Sequence, residues 1–378
     1  MCAFIKYILD ICQEGCEVIM QKVYINGRFL ESELTGVGRY SINVIKEIDL
    51  LLDDDRYANL DIELVMPNIV RAELELKNIN IRHIGFNQGS LWEQLDLPIC
   101  TYGKFLISLH SHAPIFKTNQ IVVLHDGRMT NAKKTDAYFA QRMFILFMGI
   151  ILGKRLKRII TISNYAKKEL HENYGIANHK MVVIPEGCNH VLNVQADVAI
   201  LQKFSLSSVK YVLAVGGGSA KNNVYTARAL AKYAKNDLHF VLVSGTPEHV
   251  KQELIKAYDK VHILGRVTDE ELVALYKNAF CLAFPSIAEG FGIPPIEAMA
   301  LGCPVIVSNV DSLPEICGEA ALYCDPYNID SFIASLGKLY DDSFRKKFIT
   351  IGRKYVKKYH WKSTAEHILE EICNFGSD

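Results

Sequence analysis

The sequence carries no surplus of either charge, because lysine plus arginine and aspartate plus glutamate each number 42. A chain without a strong overall field has no general attraction for nucleic acid or an acidic membrane, so no nucleic-acid partner is expected. Internal repeats and low-complexity tracts are also absent. With 49% hydrophobic residues over 378 positions, the chain is long enough to bury two cores.

Long hydrophobic runs are missing as well. The longest apolar stretch, Met143 to Leu152, is about half of the roughly 20 residues that cross a bilayer. It lies between Arg142 and a basic stretch at residues 154–158. This pattern is typical of a buried helix with a solvated basic end, and the alternative is a helix that rests on an anionic lipid surface.

The ten cysteines include no Cys-x-x-Cys pair and no spacing typical of a zinc site. Several lie within apolar runs, as buried thiols of a reducing cytosol do. Residues 1–21 are predicted to be an N-terminal extension, and they carry Asp10, Glu14 and Glu17 where a signal peptide needs unbroken apolar residues. The sequence therefore predicts a cytoplasmic protein.

Short β-branched runs alternate with amphipathic helical stretches along most of the chain. This alternation is typical of parallel sheets covered by helices on both faces, so the predicted fold class is α/β. The pattern weakens after residue 185 and restarts with the strand KYVLAVGGG, which places a domain junction between them. We predict one Rossmann-like domain over residues 22–188, a second over 189–358, and a helix over 359–378 that packs back towards the first. Strands are predicted at residues 22–30, 62–66, 120–125, 158–162, 182–185, 210–215, 239–244, 261–264, 279–285 and 304–308.

The segment AFCLAFPSIAEGFGIPPIEAMALGCPVIVSN, residues 279–309, combines a strand, a glycine loop and a helix. The helix is predicted to begin at Pro294 or Pro295, because proline in the first turn loses no hydrogen bond. The free N–H groups and positive end of such a helix form a seat for a phosphate group. Gly290 and Gly292 allow the backbone to come close to that phosphate.

Two carboxylates accompany this loop. Glu289 lies within the loop, and Glu297 lies in the predicted first turn of the helix. They can accept hydrogen bonds from sugar and ribose hydroxyl groups while the backbone holds a diphosphate. In the simpler interpretation, Glu297 only complements the helix dipole and Glu289 is a solvated loop charge.

A second strand, glycine turn and helix is formed by AVGGGSAKNN, which places Lys221 at the turn. It lacks the Gly-Lys-Ser/Thr ending of a Walker loop and the last glycine of the dinucleotide fingerprint. Neither a P-loop nor a nicotinamide-dependent oxidoreductase is therefore supported.

The glycine loop, with its Glu-x7-Glu spacing, closely resembles the donor-binding signature of the retaining GT-B glycosyltransferases of family 4. The flanking stretches GRVTDEELVALYKNAF and SLPEICGEAALYCDP are similar to the same family. In the first half, TGVGRY, SLWEQLDLP, QIVVLHDGR and IITISNYAKKEL resemble members that assemble cell-surface polysaccharides such as O-antigen. The resemblance implies a GT-B fold, in which two Rossmann-like domains face each other across a cleft.

The resemblance also implies roles for individual residues in the glycine loop. It implies that Glu289 holds the donor sugar and that Glu297 holds the ribose. The backbone at Phe291, Gly292 and Ile293, next to Gly290, would hold phosphate and sugar.

Further donor contacts follow from the same likeness. Lys221 and Asn222 match the family's Lys-Asn or Lys-Gly pair that neutralises the diphosphate, after a turn that includes Gly217. Many members carry an arginine in that turn, and this chain has only glycines there. Arg266 and Val267 resemble the base-contacting loop, and a surface charge is the alternative for Arg266.

In the first half, Gly36, Val37 and Gly38 resemble the family's glycine loop that faces the cleft. His125 corresponds to the family histidine near the donor sugar, and its predicted place is the carboxyl end of a strand. The pair formed by His110 and His112 is interpreted as satisfying loop hydrogen bonds, because no other motif converges on it.

The three aspartates at residues 53–55 imitate the metal-binding Asp-x-Asp of another glycosyltransferase fold. They follow a predicted helix rather than a strand and are interpreted as its solvated end, so no essential metal or other cofactor is expected. Lys221 and a helix N-terminus can stabilise a departing diphosphate electrostatically.

The sequence thus predicts a retaining, metal-independent hexosyltransferase of polysaccharide assembly. Its partners would be a nucleotide-sugar and a saccharide or lipid-linked saccharide acceptor, with peripheral contact at the inner membrane face. Open alternatives are a nucleotide-sugar epimerase or sugar phosphorylase on the same frame, and a catalytically silent nucleotide-sugar-binding subunit.

Overall fold

The computed structural model describes residues 21–32, 36–127, 149–216, 220–233 and 237–375. These residues form two parallel sheets covered by helices, which confirms the α/β class. The strands are β1 (Gln21–Asn26), β2 (Leu60–Met66), β3 (Asn80–His83), β4 (Phe105–Ser108), β5 (Gln120–Leu124), β6 (Ile159–Thr161), β7 (Met181–Val183), β8 (Lys210–Val215), β9 (Leu238–Val243), β10 (Val261–Ile263), β11 (Cys281–Phe284), β12 (Val305–Ser308) and β13 (Leu322–Cys324).

Helices connect these strands. They are α1 (Gly36–Leu51), α2 (Gly89–Leu91), a π-helical turn (Trp92–Asp96), α3 (Leu97–Cys100), α4 (Asn164–Tyr174), α5 (Ala199–Lys203), α6 (Ala220–Lys232), α7 (Glu248–Ala257), α8 (Asp269–Asn278), α9 (Ile293–Leu301), α10 (Leu313–Cys317), α11 (Ile329–Lys338), α12 (Asp342–Tyr355) and α13 (Trp361–Phe375). The α2, π-helical and α3 segments follow one another directly and are called the 89–100 helix below. None of the described helices combines the length and apolar composition that a bilayer crossing needs.

Both sheets have the same kind of strand order. The first runs β3-β2-β1-β4-β5-β6-β7, and the second runs β10-β9-β8-β11-β12-β13. In each sheet the chain adds two strands on one side of the first strand and then returns to its other side. Open parallel sheets bind ligands where the order reverses. The fold therefore offers two such points, one between β1 and β4 and one between β8 and β11.

The strands form where short apolar runs can be buried on both faces. In β8, for example, Tyr211, Val212 and Leu213 have no exposed surface. All ten strands expected from the sequence are present, whereas β3, β4 and β13 were not expected. The predicted first strand is too long, because residues Arg28–Glu31 form a 3-10 helix after β1 ends at Asn26.

The two sheets share a continuous apolar core. The C-terminal helix α13 begins at Trp361, whose ring meets the Tyr40 ring of α1 edge-on at 5.7 Å. Its last residue, Phe375, contacts Phe105 of β4 with ring centroids 4.9 Å apart. The C-terminal helix thus covers the first sheet. None of the seven cysteines in the described ranges forms a disulfide.

Candidate functional site

The loop after β11 lies at the reversal point of the second sheet and leads into α9. This helix begins at Ile293, with Gly292 as its N-cap residue at φ +102°. That left-handed conformation favours glycine. Pro294 and Pro295 are therefore the second and third helical residues, where a missing N–H breaks no helical hydrogen bond.

Hydrogen bonds on both sides fix the position of Glu289 in this loop. Ser286 Oγ donates to Glu289 Oε1 at 2.7 Å, and the Glu289 N–H donates to Asp311 Oδ2 at 3.0 Å. Ser312 Oγ lies within hydrogen-bond distance of the carbonyl oxygens of Glu289 and Phe291, at 2.9 and 3.1 Å. Because the side chain is only partly buried, its carboxylate is held at the surface of the loop.

The same loop is pressed against the first sheet. A Cβ atom on Gly290 would lie 2.6 Å from the carbonyl oxygen of His125, the residue that follows β5. Ser163, which follows β6 and caps α4, donates from Oγ to the Gly290 carbonyl at 2.7 Å. The Glu289 loop therefore lies between the carboxyl ends of strands from both sheets.

Glu297 does not lie in the first turn of α9, so that expectation was wrong. The helix starts earlier than predicted, which makes Glu297 its fifth residue and turns it inwards, where it is 4% exposed. Its Oε2 accepts a hydrogen bond from Tyr276 at 3.0 Å, and its Oε1 lies 3.0 Å from His190 Nε2. Burial, followed by the Glu297 carboxylate, raises the pKa of the Tyr276 hydroxyl well above its usual range. Glu297 thus already accepts a hydrogen bond from Tyr276 and lies against His190, and its ribose contact stays a prediction.

The chain passes from one sheet to the other near residues 188–190 and again near residues 359–361. His190 joins Glu297 to this region. The Trp361 indole N–H donates to His190 Nδ1 at 3.0 Å, so His190 Nε2 carries the ring hydrogen. Among the described residues this Nε2 is buried without an aligned hydrogen-bond partner, although Glu297 lies close to it. The Trp361 backbone N–H donates to Asn189 Oδ1 at 2.8 Å, and the Cys188 N–H donates to the Tyr359 carbonyl at 3.1 Å. Sequence reasoning missed this network, because its members have no local pattern.

His125 lies at the carboxyl end of β5, as predicted, and is 6% exposed. Its Nε2 is 3.0 Å from the Leu109 carbonyl, and its Nδ1 is 3.3 Å from Glu186 Oε1. The Tyr40 ring meets it edge-on at 4.7 Å. Both ring nitrogens therefore face protein groups, and its backbone carbonyl lies against the Glu289 loop at Gly290.

The remaining predicted donor contacts are placed only in part. Gly217 lies outside the described residues, as do the side chains of Lys221 and Asn222, although the backbone places both at the start of α6. Because α6 follows β8 and β8 pairs with β11 in parallel, the carboxyl end of β8 and the Glu289 loop lie at the same sheet edge. Arg266 is exposed and Val267 packs partly against the core.

A cavity of about 370 Å³ lies at the reversal point of the first sheet. Gly36, Val37 and Gly38 were expected in a loop, but they form the first turn of α1, and Val37 and Gly38 line this cavity. The other lining residues are Arg28, Phe29, Glu31, Ser32, His110, Ser111 and His112.

A buried carboxylate organises the cavity wall. Glu93, 1% exposed, accepts hydrogen bonds from Asn26 Nδ2 at 3.1 Å and from Arg28 Nη1, and it lies 3.2 Å from His110 Nε2. Burial alone would raise its pKa, but the His110 hydrogen bond and the charges of His110 and Arg28 lower the pKa to about 2. Glu93 is therefore ionised at any physiological pH. Burial lowers the pKa of His112, the other histidine in the cavity wall.

The histidine pair is not isolated, so the interpretation that nothing converges on it was wrong. His110 Nε2 lies 3.2 Å from the Glu93 carboxylate, which can only accept, so that nitrogen carries a hydrogen. Among the described residues, His110 Nδ1 is buried with no hydrogen-bond partner. A buried polar atom in a cavity wall without a partner is costly, and a ligand hydroxyl group would satisfy it.

The aspartates at residues 53–55 lie after α1, as expected. Asp53 pairs with Lys77 Nζ at 2.8 Å and Asp54 with Arg56 Nη2 at 2.9 Å, both in solvent. Within the part of the chain that the structure describes, no three His, Cys, Asp or Glu side chains are grouped to hold a metal ion.

A family model described as Glycosyl transferases group 1 matches residues 202–355. The O-antigen chain mannosyltransferase RfbU of Salmonella typhimurium is 30% identical over 308 residues, which cover 77% of this chain and 83% of that relative.

Solved structures share the fold at low sequence identity. Sucrose-phosphate synthase from Thermosynechococcus elongatus superposes with a TM-score of 0.72 and 16% identity, over 94% of this chain and 99% of that one. HepE from Anabaena, in complex with UDP, superposes with a TM-score of 0.69 and 14% identity, over 94% of this chain and 100% of that one. These likenesses support the predicted GT-B arrangement of two Rossmann-like units.

Proposed function

Since the chain belongs to the family of group 1 glycosyl transferases, we propose that it transfers mannose from a nucleotide-activated donor to a saccharide acceptor. The relative RfbU is named for mannosyl transfer in O-antigen assembly, and this activity is proposed for the present chain by that similarity. Assembly of a cell-surface polysaccharide is the corresponding process.

The observation that carries this proposal is the position of the Glu289 loop. The loop ends at the N-terminus of α9, where Ile293 has an N–H group and the two prolines after it have none, it fixes one partly exposed carboxylate, and it touches the end of β5 through Gly290. A helix N-terminus attracts phosphate, and a carboxylate beside it accepts hydrogen bonds from sugar hydroxyl groups. A nucleotide-sugar supplies both chemical groups.

We propose that Lys221 and the α9 N-terminus stabilise the diphosphate as the bond from its oxygen to the anomeric carbon breaks. The acceptor hydroxyl oxygen forms its new bond on the same face of the sugar, and its proton passes to the departing phosphate oxygen. Configuration is then retained, and no metal ion is required for charge stabilisation. Glu289 orients the sugar in this scheme.

The acceptor saccharide is proposed to occupy the cavity at the reversal point of the first sheet. His110 Nδ1 is a buried ring nitrogen without a partner among the described residues, and a hydroxyl group can pair with it, while Arg28 and Glu31 offer a donor and a carboxylate on the same wall. A volume of about 370 Å³ lies within the range of small-molecule sites. We further propose that the acceptor is lipid-linked and that the enzyme works at the cytoplasmic face of a membrane.

Thermal unfolding with a panel of nucleotide-sugars tests the proposal, because a ligand that binds only the folded state raises the melting temperature. GDP-mannose, a UDP-hexose and dTDP-rhamnose are compared with free mannose. We expect one nucleotide-sugar to stabilise the protein and then to support transfer to an acceptor. Conversion of the donor without any acceptor would instead indicate an epimerase, and stabilisation without transfer would indicate a silent binding subunit.

A further inference from the structure

The 89–100 helix carries a row of large apolar side chains on its outer surface. Leu91, Leu95, Ile99 and the following Tyr102 are 61%, 51%, 72% and 88% exposed. Their spacing of four, four and three residues places them along one face, which we call the apolar stripe. Trp92, the residue after Leu91, is fully buried and anchors the helix to the protein. An exposed row of this kind marks a contact surface rather than a core.

Phe116 extends the apolar stripe. It is 79% exposed and lies in a loop that hydrogen bonds hold along the 89–100 helix. Gln94 Nε2 donates to the Ala113 carbonyl at 3.0 Å, and Gln94 Oε1 accepts from the Ile115 N–H at 2.9 Å. Lys117 Nζ donates to the Thr101 carbonyl at 2.7 Å, next to Tyr102. These bonds hold the loop that carries Phe116 beside the helix that carries the stripe.

Cationic side chains border this surface. The Arg155 guanidinium lies over the Phe116 ring at 5.9 Å, and Lys154 precedes it. Lys104 is exposed two residues beyond Tyr102. Asp96, on the same helix, accepts hydrogen bonds from the backbone N–H groups of Phe86 and Asn87, both below 3.0 Å. The border is thus basic, and the acidic side chain beside it is already hydrogen-bonded.

The apolar run that ends at Leu152 does not supply this surface in its described part. Leu152 is 1% exposed, and Ile150 packs against the same core cluster. In its described part this run is buried, as the interpretation of a buried helix with a solvated basic end expects, and the exposed apolar side chains near Arg155 come from the 89–102 segment and from Phe116.

We propose that the apolar stripe and Phe116 rest on an anionic lipid bilayer, with Lys104, Lys154 and Arg155 at the phosphate level. Aromatic and aliphatic side chains enter the boundary between headgroups and acyl chains, and long cationic side chains reach back to the phosphates. Charge complementarity favours anionic lipid over a second copy of a chain whose formal net charge is zero. This inference rests on the proposed function in that a lipid-linked acceptor would be delivered at such a surface.

Flotation of the full chain with vesicles tests the docking surface. Vesicles of phosphatidylcholine with phosphatidylglycerol are compared with phosphatidylcholine alone, at low and high salt. The wild type should bind the anionic vesicles, and high salt should weaken binding. The double variant Leu95→Ser with Ile99→Ser, and separately Arg155→Glu, should bind at least about tenfold more weakly.

Matched controls are Ile255→Ser and Tyr327→Ser in the second half of the chain, where the side chains are 59% and 78% exposed. Both should bind vesicles as the wild type does. Absence of wild-type binding, or equal binding by the double variant, would overturn the proposal. A dimer that the double variant converts to monomer, seen by light scattering, would assign the stripe to a second copy instead.

Transfer to a water-soluble acceptor separates this proposal from the enzymatic one. The double variant should retain wild-type transfer in the absence of vesicles, and a loss there would contradict a purely docking role. If no nucleotide-sugar supports transfer by the wild type, the proposed function fails, while selective vesicle binding would still support the lipid surface.

Discussion

The α carbon of Gly290 lies so close to His125 that a methyl group there would be 2.6 Å from the His125 carbonyl oxygen. This contact joins the loop after β11 of the second sheet to the end of β5 in the first. Backbone meets backbone at this point, so neither side can give way by a side-chain rotation. The position of Glu289 relative to the first sheet therefore depends on this glycine.

Gly290→Ala should displace the Glu289 loop from the first sheet. A misplacement of about 1 Å costs up to roughly 100-fold in rate, and overpacking costs about 1–3 kcal/mol, so we expect at least a tenfold loss of kcat/KM together with a lower melting temperature. Steady-state kinetics and thermal unfolding measure the two effects. Gly245→Ala is the control, because a Cβ there meets nothing within 4 Å. Equal activity of both variants would show that the contact does not position the loop.

His125→Ala should lower stability as well as activity. The imidazole is buried between the Leu109 carbonyl and Glu186, and its removal leaves a buried carboxylate without this partner. Leaving a buried polar group without its hydrogen-bond partner costs about 1–3 kcal/mol. Urea unfolding should show a loss of this order for His125→Ala and none for Glu289→Ala. Unchanged stability of His125→Ala would favour a direct role of the ring at the donor sugar.

The Glu93 carboxylate should make stability depend on pH in acid. Its pKa in the folded protein is about 2, below the ordinary 4.5. Its contribution is therefore fully present above pH 4.5 and is lost as the pH falls from 4.5 to 2. The difference corresponds to roughly 3 kcal/mol.

Glu93→Gln is the matched variant for that measurement, since it keeps the shape and removes the titration. The free energy of unfolding should fall more steeply for the wild type than for the variant between pH 5 and pH 3. In this range the carboxyl group becomes protonated in the unfolded chain, and its contribution to stability decreases. Parallel curves would show that Glu93 is not the titrating group.

The Glu289 loop, at the reversal point of the second sheet, was largely predictable from the sequence because its signals are local. Glycine and proline determine where the loop after β11 ends, and the strand before it is an apolar run of ordinary length. The start of α9 was misplaced, since only the left-handed Gly292 shows that Ile293 is already helical. That error of one or two residues moved Glu297 to the wrong turn.

The cavity at the reversal point of the first sheet was not predictable in the same way. Asn26 and Glu93 are 67 residues apart in sequence, and Asn26 and Ser108 are 82 apart. They meet because β4 pairs with β1, and β4 is only four residues long, which is too short for a periodic signal. Recognition of that strand would have placed His110 beside Asn26 at the reversal of the sheet.

The central claim is that the turn carrying Glu289 holds an activated sugar with help from Lys221. It is tested most directly by the rate of sugar transfer in Glu289→Ala and Lys221→Ala, with the exposed Glu253→Ala as control. The account predicts a loss of at least roughly 100-fold in each of the first two variants, with normal folding and a normal control. Near-normal transfer by both variants would contradict it.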